Sequence, residues 1–165
     1  MPSLTCRAQS ASSITDKDLQ VAVRAFSFVY GIPKGDLDIE IVYNPGNAAS
    51  SSEASQLQKI IGDNGTFANR TIKAKLVPVS EMGSTKSRIA YITRGLQTDQ
   101  DAILAKARNN KMLTFSTDFQ CVESQKCVMG VTADPAIKIE ISRSATSASE
   151  LEFSQALKLM IREVE

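Results

Sequence analysis

The chain has 165 residues, 42% of them apolar and 22% charged, enough to bury one core of ordinary globular composition. Its 19 basic and 18 acidic side chains leave a formal charge of +1, without the basic excess that a nucleic-acid surface needs. Histidine is absent, which excludes Ser/His/Asp and Cys/His nucleophilic machinery, and no apolar run approaches the roughly 20 residues of a membrane span.

Residues 1–14 are small and polar and read as a flexible lead-in to a single domain over 15–165. No signal-peptide core follows Met1; a chain whose leader had been removed would look the same. Thr15 and Asp18 have the spacing of a capping box, and Leu19, Ala22, Val23, Phe26, Val29 and Tyr30 then share one helical face. Gly31 stands where that helix would end, and Pro33 blocks its continuation.

Residues 38–43 alternate and are rich in β-branched side chains, so they predict a strand. A polar loop carries the chain to a helix starting near Ser51 or Ser52, with Leu57, Ile60 and Ile61 inward and a stop at Gly62. A strand that leads through such a loop to a helix start brings free backbone N–H groups and a positive dipole end to one spot. Asn44, Gly46, Asn47 and Ser51 are therefore candidate ligands of a small anion. The loop lacks both GxGxxG and the P-loop lysine, and a plain chain reversal is the alternative.

A strand over 71–79 follows, with Lys73 and Lys75 on a wet face and Pro78 marking an edge or a strand end. The next strand, at 87–93, is central by its apolar content. Thr98 and Asp101 suggest a second capping box for a helix burying Ile103, Leu104 and Ala107. A strand at 111–117 leads to a cysteine-flanked loop at 121–127. Two strands then pair across Pro135, at 128–132 and 137–142. Ser149 and Glu152 suggest a third capping box. Phe153, Ala156, Leu157, Met160, Ile161 and Val164 follow as one apolar stripe, predicting a closing amphipathic helix.

Strands alternating with helices predict a three-layer α/β fold: a mainly parallel sheet with helices on both faces, then a C-terminal antiparallel hairpin and the closing helix. Ligands of such sheets sit beyond the carboxyl ends of the strands, which adds Arg94, Ser116, Thr117 and Asp118 to the candidates. Cys121 and Cys127 lack the partners of a zinc site, so no metal or cofactor is expected; a local disulfide fits their spacing, with two independent thiols as the alternative. Cys6 is then a free thiol, an intermolecular partner or a lipid-anchor cysteine.

The tail has a resemblance. Thr114 to Thr117, the cysteine loop, Val128-Met-Gly130, the strand at 137–142, Ser144, Ala145 and the run at 157–160 together resemble the YfiR-like family of bacterial periplasmic proteins. Residues 25–33 resemble that family's aromatic helix ending in Trp-Pro, and 38–47 its next strand and polar loop. Ile32 replaces the tryptophan, Ser142 stands where asparagine is common, and the family's first cysteine pair has no counterpart.

The resemblance implies a non-enzymatic periplasmic regulator that holds a membrane-bound diguanylate cyclase inactive until envelope or redox conditions change. It implies that Cys121 and Cys127 form the family's C-terminal disulfide, and that Lys138 and Glu140 lie in a strand linked to ligand or partner contact; solvated edge charges are the alternative. A periplasmic small-ligand-binding module, related to transporter-associated binding proteins, is the competing function. An enzyme would have to use Asp118 with Lys111, or Glu123 with Lys126, pairs that read as surface charges. Homodimerisation would use the Pro78 strand edge or Cys6.

Overall fold

Residues 13–165 are described by a computed structural model. The Thr15 hydroxyl accepts from the Asp18 amide while the Asp18 carboxylate accepts from the Thr15 amide, and this capping box opens helix α1 (Asp16–Phe26). The chain leaves the helix at Ser27, so Val29–Tyr30, expected on the helix face, form the short strand β1 instead. Strand β2 (Leu37–Tyr43) follows. Helix α2 (Ala48–Ile61) is capped by Asn47, a turn earlier than the sequence suggested, and ends at Gly62 with φ +64°.

Strand β3 (Gly65–Phe67) pairs back on β4 (Arg70–Pro78) through a two-residue turn, Ala68 and Asn69, both with positive φ. The remaining elements are β5 (Ile89–Ile92), α3 (Gln100–Asn110), β6 (Leu113–Ser116), α4 (Phe119–Glu123), β7 (Met129–Thr132), β8 (Lys138–Ser142), α5 (Arg143–Ala148), β9 (Glu152–Phe153), α6 (Gln155–Lys158) and β10 (Arg162–Val164). No side-chain cap forms at the start of α3, which is entered through a 3₁₀ turn rather than the expected Thr98 capping box.

Eight strands form one sheet in the order β10-β8-β7-β6-β5-β2-β4-β3. The pairs from β4 through β2, β5 and β6 to β7 are parallel, and the β7–β8 hairpin is antiparallel, as expected. Side chains alternate between faces along each strand. In β5, Ile89 and Tyr91 join an apolar cluster with α1 and α2, while Ala90 and Ile92 join another with α3 and α4. Helices therefore cover both faces, and the three-layer α/β class holds.

The closing helix predicted over 149–164 is corrected. Ser149 ends α5, and Glu150 takes φ +54°, which no right-handed helix can pass through. Residues 152–153 pair with β1, Ser154 caps the single turn α6, and residues 162–164 pair parallel with β8. Phe153 and Leu157 of the stripe do reach the core, but Met160 is 74% exposed. Two strand edges take backbone hydrogen bonds that a continuous helix would have kept to itself. Ile14, counted with the lead-in, is fully buried, while Cys6 lies outside the described residues.

Candidate functional site

Three of the polar loops meet beyond the carboxyl ends of β2, β5 and β6. Asn47 Oδ1 accepts from the Ser50 amide at 3.0 Å, and its Nδ2 reaches the Gly95 carbonyl at 3.5 Å. Gly95 has φ +78°, and a Cβ there would sit 2.6 Å from Asn47 Oδ1, so glycine is what lets the β5 loop close on α2. Asn44 accepts from the Gly46 amide, and its own amide donates to Ser50 Oγ, which lies 2.7 Å from Thr93 Oγ1. Ser51 Oγ donates back to the Asn44 carbonyl at 3.3 Å. The predicted anion ligands of this loop thus hold the crossover in shape.

Beneath them is a buried polar cluster that the sequence did not reveal. The Tyr91 hydroxyl donates to Glu53 Oε1 and lies 3.2 Å from Thr117 Oγ1. The Arg94 amide donates to Glu53 Oε2 at 2.9 Å, and the Arg94 guanidinium approaches that oxygen at 3.8 Å. Burial first, then the Glu53 charge, push the Tyr91 phenol well above its ordinary range. Arg94 Nε and Nη2 are sealed from solvent without an acceptor. The structure thus brings Arg94 and Thr117 together through Glu53 and Tyr91. Ser116 donates to the Ile92 carbonyl, and Asp118 caps α4 through the Gln120 amide, so these two serve their own turn. A cavity of about 470 Å³ lies elsewhere, lined by Arg143, Leu151, Phe153 and Lys158 among others.

Cys121, in α4, and Cys127 form a disulfide with their Cα atoms 5.1 Å apart, buried in the cluster that includes Ile103 and Ala107 of α3. Left-handed Gln125 reverses the chain, and the amides of Lys126 and Cys127 both donate to the Cys121 carbonyl. The bridge therefore fixes the end of α4 against the start of β7. The residues weighed for acid–base work are not paired with each other: Lys111 meets Glu150 at 2.8 Å, and Lys126 meets Asp101.

Lys138 and Glu140 stand on one face of β8. Glu140 has no exposure; Lys138 Nζ lies 3.2 Å and Arg162 Nη1 3.4 Å from its Oε1, while Oε2 has no donor. The Lys138 ammonium also sits 4.5 Å from the centre of the Phe119 ring. Gly130 faces Glu140 from β7, and a Cβ there would meet Phe119 at 2.9 Å, so glycine admits α4 against the sheet at this point.

Residues 34–160 match the family model described as YfiR/HmsC-like. No curated protein matches the chain. Among solved structures, a conserved domain protein from Vibrio cholerae O1 biovar eltor is 14% identical with a TM-score of 0.61, over 90% of this chain and 60% of its own. An ABC domain from Streptococcus pneumonia, crystallised in complex with L-Trp, is 13% identical with a TM-score of 0.58, over 91% of this chain and 60% of its own. The likeness to both is one of fold, and this chain spans about 60% of their length.

Proposed function

Because the chain belongs to the YfiR/HmsC-like family, we propose that it is a non-enzymatic regulator of the bacterial periplasm that holds a membrane-bound diguanylate cyclase inactive. The observation that carries this reading is the buried Cys121–Cys127 disulfide, a cross-link that persists in oxidising compartments such as the periplasm. No helix among the described residues is long and apolar enough to cross a membrane. The polar side chains at the strand ends are engaged in building their own loops.

Co-expression with a membrane diguanylate cyclase from the same genome, with cyclic di-GMP measured in the extract, tests the proposal. The level should fall severalfold with the intact chain and recover when both cysteines are serine. An unchanged level with every such cyclase rules the regulator out.

A second reading has one specific observation behind it: Arg94 keeps two sealed guanidinium nitrogens, Nε and Nη2, without a hydrogen-bond acceptor, close to Glu53 of α2. On that reading the strand ends take a small carboxylate or phosphate. A thermal-shift series with such anions should raise Tm for the natural chain and not for Arg94→Ala; equal shifts in both would remove it.

A further inference from the structure

We propose that the outer edge of β8 is a docking surface for an extended protein segment carrying a basic residue opposite Glu140, and that β10 occupies this edge in competition with it. The proposal goes beyond control of a cyclase and stands independently of it, because it concerns which strand the sheet accepts.

The edge is incompletely covered. β8 runs over Lys138–Ser142, but β10 pairs only with Glu140, Ile141 and Ser142, leaving the outer side of Lys138 and Ile139 without a strand. A longer segment in the same parallel register would pair with all of β8, and added strands draw their affinity from such main-chain bonds.

The charge beneath the edge says what the segment should carry. Glu140 is wholly buried, and one of its carboxylate oxygens lacks any donor. A sealed carboxylate one bond short is costly, and a guanidinium that reaches both oxygens is the group best matched to it. Arg162 of β10 supplies a single nitrogen to Oε1, at 3.4 Å, and its side chain remains 69% exposed. Lys138 meets the same oxygen, so Oε2 is left without a donor.

β10 is also lightly held. It has three residues, with Ile161 just before it and Val164 within it only partly buried against the core, and Leu159 and Met160 are 87% and 74% exposed. Its other ion pair, Arg143 Nε to Glu163 at 2.8 Å, is formed by a side chain that is 64% exposed and contributes little in water. Displacing β10 gives up a three-residue ladder, two partly buried side chains and exposed ion pairs, whereas a longer segment with a well-placed arginine pairs with all of β8 and satisfies the buried carboxylate.

The test uses the full chain and a fluorescent peptide with the sequence of residues 159–165, plus the same peptide with aspartate in place of its arginine. In Arg162→Asp the internal strand is released, so the arginine peptide should bind about tenfold tighter than to the natural chain. The aspartate peptide should not, and adding Glu140→Gln should abolish the preference. Hydrogen exchange on the natural chain guards against a variant that fails to fold: with millimolar arginine peptide, amides 162–164 should lose protection while β8 keeps its own. Equal binding of the two peptides, or unchanged exchange of residues 162–164 at saturation, overturns the proposal.

Discussion

Tyr91 has no exposure, and its hydroxyl donates to the carboxylate of Glu53 within the sheet–helix interior. Burial and then the Glu53 charge hold its phenol well above the ordinary value of 10.0. In the unfolded chain the phenol ionises near its ordinary value, so above about pH 10 the unfolded state binds fewer protons than the native one. The stability this linkage represents is whole below about pH 10 and falls as pH rises toward the native pKa. Tyr91→Phe should therefore flatten the alkaline limb of a stability–pH profile between about pH 10 and 12. It should also cost about 1–3 kcal/mol at neutral pH, because Glu53 loses a buried donor. Urea unfolding across that pH series measures both, and a variant with the same alkaline slope as the natural chain would show that the phenol does not drive it.

At the scale of elements, the disulfide joins the end of α4 to the start of β7, the strand that parallel pairing attaches to β6. Closing so short a loop restricts the unfolded chain by about 2 kcal/mol. The double variant Cys121→Ser/Cys127→Ser should lose about that much, with little change in the urea m-value. Alkylation of the native, unreduced protein should modify neither cysteine; ready labelling of both would remove the bridge and the compartment argument with it. Elements of this size were legible where local chemistry decides them. The Thr15–Asp18 box, the β-branched runs of β2 and β5 and the Pro135 hairpin all formed from signals within a few residues. The β3–β4 hairpin was not legible, because Ala68 and Asn69 adopt positive φ without the glycine that marks such turns. The stripe from Phe153 to Val164 misled for the opposite reason: its helical spacing is real, but distant edges on β1 and β8 took its backbone. Of the strand-end site, the loops were readable from their asparagines and serines. Glu53 was not, since nothing local joins it to a tyrosine 38 residues away.

At the scale of the molecule, the family match begins at residue 34, whereas the interior begins earlier. Phe26 of α1 stacks edge-on to Phe115 at 5.2 Å, which meets Tyr91 at 5.0 Å, so an aromatic from outside the matched span completes the centre of one face. Asp18 reaches across the fold to accept the Ala133 amide at 2.7 Å, tying α1 to the turn of the β7–β8 hairpin. Val29 pairs with Phe153, which anchors the tail to the same N-terminal segment. Residues 15–165 should accordingly unfold as one cooperative unit. A fragment beginning at Lys34 strips the cover from Phe115, Met129 and Val131, which belong to the cluster that α1 completes. Removing one buried phenylalanine costs about 3–5 kcal/mol, a large part of an ordinary domain's stability of about 5–15 kcal/mol, and the fragment loses an entire helix besides. Calorimetry of the whole chain should show a single transition with equal calorimetric and van't Hoff enthalpies. The fragment should show no sharp transition and should bind ANS at neutral pH. A fragment that melts as sharply as its parent would mean that the matched span is the folding unit and that α1 is an accessory to it.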